Sequence, residues 1–342
     1  MNDVARCVSV VDPIGVADDP VMPFLARALD PVEVQRQFDR HLSPPAMGRT
    51  HFNLRSIRVA RYKPGRRCLI EYGVEAGHDR PITLIGKARA RGPDGRTYRV
   101  QQSLWNSGFG SDSQDDVRVP EPVGVIPEFH MWFQRKVPGT PATRLLAEPG
   151  AETLAWRIAE AIHKLHKAGI PTSRRHTMAD ELRILHERLS LVAEMKPQWA
   201  GRLERILAAC DRLGAANPEP RSRYIHRDFY ADHVLVDGQS LYLVDFDLYC
   251  GGDAGLDIGN FAAHLTEQGL RTLGDPDGLQ AAEQALVDRF GELAGETTRA
   301  AVRAYTTLTL VRHIQLSTQF PERRPFIEIL LELCEGRLDV SS

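Results

Sequence analysis

The sequence predicts an α+β protein in two lobes, a small, mostly antiparallel sheet followed by a larger helical lobe. Three observations carry this. Residues 52–137 are rich in β-branched and aromatic residues, punctuated by Gly and Pro. Beyond residue 150, apolar residues recur at helical spacing, segment after segment. Pro138-Gly139 separates the two textures. The expected organisation is an N-terminal helical extension over 1–50, a β-rich lobe over 51–138 and a helical lobe over 139–342.

The elements follow in order. Residues 20–42 read as helical: Asp30 before Pro31, with Glu33 three positions on, is the pattern of a capping Asp and a Pro at the first helical position. Ser43-Pro44-Pro45 stops the helix. FNLRSIRVARY, CLIEYGVEA and PITLIGKARARG read as strands, joined by the turns KPGRR (residues 63–67) and AGHDRP. GRTYRVQQSLW reads as one short helix, and PVGVIPEF and MWFQRKV as two more strands. TLAWRIAEAIHKLHKAG is a helix that ends at Gly169. Helical patterns follow at 178–195, 199–214, 255–270, 278–294, 296–318 and 324–336.

Composition narrows the class. A chain of 342 residues, 42% hydrophobic, can bury two domain cores. Lys plus Arg number 43 against 45 Asp plus Glu, a formal charge of -2, so no global excess argues for a nucleic-acid partner. Five scattered Cys, without a CxxC pair, fit reduced thiols. No signal pattern and no apolar run near the ~20 residues of a membrane span are present. The expectation is a cytoplasmic protein without a membrane partner; the oligomeric state is not encoded legibly.

The informative stretch is YIHRDFYADHVLVDGQSLYLVDFDLYCGGDAGLDIGN, residues 224–260. Asp237-Gly238 between two apolar runs makes a hairpin. Asp228 then lies before its first strand and Asp245 at the end of its second. Carboxylates converging at one mouth repel each other unless a cation or proton intervenes. A divalent metal on oxygen ligands is the economical explanation, with His233 able to offer a nitrogen and Asp247 to join nearby. Asp237 itself is a turn residue and Asp232 a solvated one. Tyr224, Phe229 and Tyr230 read as packing, and His163 and His166 as packing or capping groups.

These motifs resemble the catalytic core of aminoglycoside phosphotransferases and the related choline- and maltokinase-like small-molecule kinases, which share the protein-kinase fold. The resemblance spans roughly residues 52–320. It implies that Asp228 accepts the proton of a substrate hydroxyl, with His226 and Arg227 bracing its loop. It implies that Asp245 bridges Mg²⁺ to the nucleotide phosphates, with His233 and Asp247 as further metal-site residues, and that Lys87 pairs with those phosphates. Asp257, in GLDIGNF, matches an Asp that holds the catalytic loop from below. Gln134, Arg135, Lys136 and Val137 occupy the hinge that meets adenine. The cofactors implied are ATP, with GTP as a second possibility, and Mg²⁺, with Mn²⁺ as a second.

Three departures from the family pattern stand out. His233 replaces the usual metal-binding Asn. No Gly-rich loop precedes Lys87; the turn carrying Lys63, Gly65, Arg66 and Arg67 lies between the first two strands, where guanidinium charge could act in place of glycine amides. No Glu lies between Lys87 and Glu121 to pair with Lys87, so the expectation is that Gln101 or Gln102 stands in by a neutral hydrogen bond, or that a later residue takes the place. The reading is an ATP-dependent phosphotransferase acting on a hydroxyl of a small molecule, a sugar, amino alcohol or aminoglycoside-like compound. The alternative is a nucleotide-binding pseudokinase with a regulatory or scaffold role. A metal-dependent hydrolase built on His226, Asp228, His233, Asp245 and Asp247 is a third reading, which leaves Lys87 without a task. A polycationic acceptor wants an acidic pocket; Glu181, Glu187, Asp253 and Glu267 are acids of the helical lobe, but many Arg interleave with them.

Overall fold

The computed structural model describes residues 8–42, 52–76, 81–217 and 223–340. The proposed stop at Ser43-Pro44-Pro45, most of the AGHDRP turn and Cys7 lie outside the described residues. The chain divides into two compact units, Met1–Pro138 and Gly139–Ser342.

The first unit is built on a six-stranded sheet. Its strands are β1 (Ser9–Val11), β2 (Phe52–Lys63), β3 (Arg67–Ala76), β4 (Ile82–Arg89), β6 (Pro122–Ile126) and β7 (Met131–Arg135), in the order β1-β2-β3-β4-β7-β6. The two-residue strand Val117–Arg118 is β5. β1 runs parallel to β2 and the remaining neighbours are antiparallel. Helices α1 (Phe24–Ala28) and α2 (Pro31–His41) replace the single helix expected over 20–42. They separate at Asp30, whose carboxylate accepts from Val32 N at 2.9 Å and starts α2.

The stretch before residue 51 contributes to this unit's core. Val16, Leu25, Val34 and Phe38 are fully buried there with Ile57, Ile70, Tyr72 and Phe133 of the sheet. The Phe38 ring meets Tyr72 at 5.4 Å and Phe133 at 5.5 Å, edge-on in both cases. Burying one such ring stabilises the unit by about 1.5–3 kcal/mol. Helix α3 (Gly95–Leu104) takes the place of the expected short helix, its N-terminus closed by Asp94 on Thr97.

The second unit is mostly helical: α4 (Ala142–Leu145), α5 (Ala151–Ala168), α6 (Met178–Met195), α7 (Ala200–Ala215), α8 (Ala254–Leu273), α9 (Gln280–Ala294), α10 (Thr298–Gln319) and α11 (Ile327–Arg337). Gly169, in the left-handed region at φ 62°, ends α5. Thr177 and Asp180 form a reciprocal cap at the start of α6. Among the helices Leu185, Ile206, Leu308, Ile314 and Leu331 share one core.

Among the described residues, five short strands sit within this unit. β8 (Thr140–Pro141) pairs with β10 (Val234–Asp237), which forms a hairpin with β11 (Ser240–Leu243). The turn is Gly238-Gln239, with Gly238 at φ 56°. β9 (Arg223–Ile225) pairs with β12 (Cys250–Gly252). Helix α8 lies unusually close to α10. A Cβ on Gly259 would fall 2.6 Å from Tyr305 Cβ and 2.7 Å from Thr306 N, and one on Gly255 2.9 Å from Ala301 Cβ. The two glycines of GLDIGN thus let backbones touch on one side of α8.

Among the described residues no helix is long and apolar enough to cross a membrane. The four described cysteines, Cys68, Cys210, Cys250 and Cys334, are buried free thiols. Burial pushes the Cys68 and Cys210 thiols up to about 12, which leaves them protonated and unreactive at neutral pH.

Candidate active site

The loop that follows β9 carries His226, Arg227 and Asp228, and it is held from within. Asp257, on α8 and fully buried, accepts from His226 N at 2.8 Å and from Arg227 N at 2.6 Å. The same carboxylate meets His166 Nε2 of α5 at 2.8 Å. His166 therefore does more than the packing or capping expected of it. Arg227 sits at φ 69°, a left-handed conformation that costs a non-glycine residue about 1–3 kcal/mol. The two amide bonds to Asp257 keep it there. The His226 ring donates from Nε2 to Val244 O at 2.9 Å, tying the loop to the end of the hairpin. Burial holds His226 below the ordinary imidazole range, with His233 adding to the effect, so it acts as a neutral brace.

A second set of contacts backs the loop from α6, α8 and α10. Asn260 Nδ2 donates to Phe229 O at 2.9 Å, and Arg312 donates to Asn260 Oδ1 at 2.5 Å. Arg312 also pairs with buried Glu181 at 3.1 Å, which bonds His176 at 2.5 Å. Nothing in the sequence marks Arg312 or His176. Asn260 lies inside the quoted motif, three residues after Asp257, one helical turn on.

Asp228 itself stays open, its side chain 42% exposed. The loop thus displays this carboxylate while burying His226 and Phe229. His233 lies behind it. His233 Nδ1 is 2.6 Å from Asp228 O and, since a carbonyl only accepts, must carry the proton. Nε2 lies on the side of Asp245, whose Oδ2 is 3.7 Å away. Asp245 is also left-handed, at φ 67°. Asp247 lies two residues on, and its carbonyl accepts from Arg174 at 2.9 Å. A nitrogen and a carboxylate oxygen converge here. No group of three or more His, Cys, Asp or Glu with metal-holding geometry occurs among the described residues.

In the β-rich unit, Lys87 is on β4 opposite Leu69 and Trp132. Leu84, Gly86 and Ala88 alternate with it into the core, so Lys87 projects from the other face. Its ammonium stands 4.9 Å from the Trp132 ring centroid, a cation–π contact. The proposed substitute for a Glu partner needs correction. Gln101 donates to Pro120 O at 2.7 Å and to Gln134 Oε1 at 3.2 Å, and its Oε1 accepts nothing, so it is not bonded to Lys87. Gln102 donates to Tyr98 Oη at 3.5 Å. Along the hinge, Arg135 N and Lys136 N already donate to Glu121 O and Thr83 O. Lys136 Nζ pairs with Glu71 at 2.8 Å.

The 63–67 turn is tied down by a residue the sequence did not single out. Asp19 accepts from Gly65 N at 2.9 Å and from Tyr62 Oη at 2.6 Å. The Gly65 amide is thereby committed to a carboxylate and does not offer the amide cradle of a Gly-rich loop. Charge remains: Lys63 is held below the ordinary ammonium range, first by Arg67, then by burial, Arg61 and Arg66. Such crowding favours an anion at the tip.

The acids once considered for a cationic pocket are dispersed. Glu187 pairs with Arg183 on the surface, Asp253 caps α8 through Gly255 N, and Glu181 is buried in the network above. Only Glu267 of the four lines the cavity beside Asp228, a space of about 500 Å³ whose walls all come from the helical unit.

Residues 96–305 match the model of a phosphotransferase enzyme family (APH). No curated protein matches the chain. Among solved structures, an amicoumacin kinase in complex with AMP-PNP, Ca²⁺ and Ami is 14% identical, with a TM-score of 0.60 over 90% of this chain and 96% of that one. A choline kinase from Cryptosporidium parvum Iowa II is 12% identical, TM-score 0.58, over 91% and 96%. A glucosamine kinase in complex with glucosamine, ADP and inorganic phosphate is 14% identical, TM-score 0.56, over 90% and 82%. At these identities the likeness is one of fold, and the fold is the protein-kinase-like α+β arrangement of a sheet-based N-terminal part and a helical C-terminal part. With a match over more than half its length, the chain belongs to this phosphotransferase enzyme family.

Proposed function

We propose that the protein is an ATP-dependent phosphotransferase that moves the γ-phosphoryl group to a hydroxyl of a small molecule. The observation that carries this reading is Asp228: an exposed carboxylate in the wall of a 500 Å³ cavity, on a loop whose preceding two backbone amides are anchored to Asp257. The fold relatives crystallised with AMP-PNP or ADP support a nucleotide donor.

In this reading the acceptor enters the cavity and its hydroxyl meets Asp228. The new bond forms between the acceptor oxygen and the γ-phosphorus. The bond from that phosphorus to the β–γ bridging oxygen breaks, and ADP leaves with the electron pair. The hydroxyl proton passes to Asp228. Correct placement of the hydroxyl by an anchored loop lowers the barrier through orientation. Lys87 and the cations of the 63–67 turn would offset phosphate charge, and the backbone of residues 134–137 would meet the base.

The donor set fits a divalent metal held by Asp245 and His233, with Asp247 adjacent. Such an ion would neutralise charge on the nucleotide phosphates. An imidazole nitrogen suits Mn²⁺ better than Mg²⁺. Calorimetric titration of a non-hydrolysable ATP analogue, with Mg²⁺, Mn²⁺ or no metal, tests this. Asp245→Asn is expected to abolish the metal dependence and His233→Asn to move the preference from Mn²⁺ towards Mg²⁺. Unchanged metal dependence in Asp245→Asn removes the metal role. A screen of hydroxyl compounds for ATP consumption then tests the reaction itself.

A further inference from the structure

The cavity beside Asp228 has the wrong charge for a cationic acceptor. Arg188, Arg227, Arg271, Arg312 and Arg323 line it, against the carboxylates of Asp228, Asp232 and Glu267. Five guanidiniums face three acids, and two of those acids are already engaged. Glu267 is shared by Arg271 at 3.1 Å and Arg323 at 3.7 Å. Asp232 accepts from the Thr143 hydroxyl. Asp228 is the group assigned to the acceptor hydroxyl. Arg312 is matched from behind by Glu181 at 3.1 Å. Arg188, by contrast, is bonded among the described residues only to the neutral amide of Gln315, at 3.4 Å.

Two histidines register the same field. His264 lines the cavity and stacks on Tyr230 at 4.5 Å, with His313 edge-on behind it at 4.5 Å. Burial is the first cause that holds both imidazoles below their ordinary range, and Arg312 and Arg323 lower both further. They are neutral and add no charge of their own. A guanidinium fork is matched best by carboxylate or phosphate oxygens.

We infer that the acceptor of this enzyme carries an oxyanion, a carboxylate or a phosphate, that seats on these arginines while its hydroxyl meets Asp228. This rests on the phosphotransferase reading above and specifies its substrate class. Charge complementarity of this kind would also exclude aminoglycoside-like polycations.

The test uses two series of small hydroxyl compounds, each with anionic, neutral and cationic members on one carbon frame. One frame is glucuronate, glucose 6-phosphate, glucose and glucosamine; the other is glycerate, glycerol 3-phosphate, glycerol and 3-aminopropane-1,2-diol. Binding of each to the full chain with AMP-PNP and Mg²⁺ is measured by calorimetry up to about 10 mM, well above the ~1 mM dissociation constant of a weak complex. Anionic members are expected to bind at least about tenfold more tightly than neutral ones, the effect of one charge-assisted hydrogen bond. Ammonium members are expected not to bind. The carboxylate and phosphate arms tell which oxyanion is preferred. Arg188→Gln is expected to remove about tenfold of the anion's affinity and to leave the neutral member within about twofold. Its thermal midpoint verifies folding, and Arg271→Gln gives a second reading. The inference is overturned if an ammonium member binds as well as its anionic counterpart, or if no anionic member binds. ADP formation is scored separately. Anion-selective binding with no ADP formed from any acceptor would remove the phosphotransferase reading and leave the charge selectivity of the cavity standing.

Discussion

Each unit of this protein gathers a turn around one carboxylate, and the two do it differently. In the β-rich unit Asp19 collects the amides of Val21, Met22 and Gly65 and the hydroxyl of Tyr62. The left-handed residue it steadies is a glycine, which adopts that conformation freely. In the helical unit Asp257 collects the amides of His226 and Arg227 and the ring of His166. The left-handed residue there is an arginine, which does not. A hairpin turn that can take glycine at its left-handed position needs no strain. A loop that must hold a neighbouring carboxylate in one place accepts backbone strain and is restrained by a buried anion.

The sharpest way to break this contrast is to remove Asp257. Asp257→Ala leaves two buried amides and His166 without their acceptor, a loss of about 3–5 kcal/mol in denaturant unfolding. Loss of turnover should exceed the loss expected from unfolding alone. A variant destabilised by less than about 1 kcal/mol and fully active would show that the loop holds itself.

Acid should act on the same unit. Burial, then Arg312, pushes His313 down to about 3, so it is neutral in the fold but takes up a proton when unfolded. A depressed pKa of this sort gives stability that is complete above about pH 6.5 and is lost as pH falls towards the folded value. Between about pH 7.5 and about pH 5 this one group should cost about 2 kcal/mol. Denaturant midpoints of His313→Leu should fall less than those of the wild type over that interval. Equal slopes would assign the acid sensitivity to other groups.

The smallest effect is expected in the β-rich unit. Asp19→Ala removes hydrogen bonds at a rim that water can reach, about 1–2 kcal/mol. The affinity for ATP should fall only a few-fold, because the turn keeps its cations. A loss above tenfold would show that the Asp19 contact shapes the nucleotide site directly.

Much of this was legible because its signals are local. Asp237-Gly238 specified the hairpin, Gly169 the end of α5, and the Asp30-Pro31 pair the start of α2. The role of Asp257 as the anchor beneath the loop came from its motif, and the structure places it there. What was missed depends on distance along the chain. β1 is three residues with no alternation of buried and exposed positions, and it exists through its pairing with β2 some 47 residues on. His166 meets Asp257 across 91 positions and Arg312 meets Glu181 across 131. The cavity draws on residues from Thr143 to Arg323, so its charge could not be read from any window. Gln101 Oε1, the only atom that could accept from Lys87, is buried without a partner, while its Nε2 is turned to Pro120 and Gln134, both remote in sequence.

The central claim is that Asp228 acts on the acceptor hydroxyl and not on the nucleotide. Single-turnover measurement of phosphoryl transfer by Asp228→Ala, beside its affinity for an ATP analogue, tests this most directly. The rate is expected to be lower by about 10²–10⁴-fold, with nucleotide affinity within a few-fold of wild type. A rate within a few-fold of wild type, or a parallel collapse of nucleotide affinity, would contradict it.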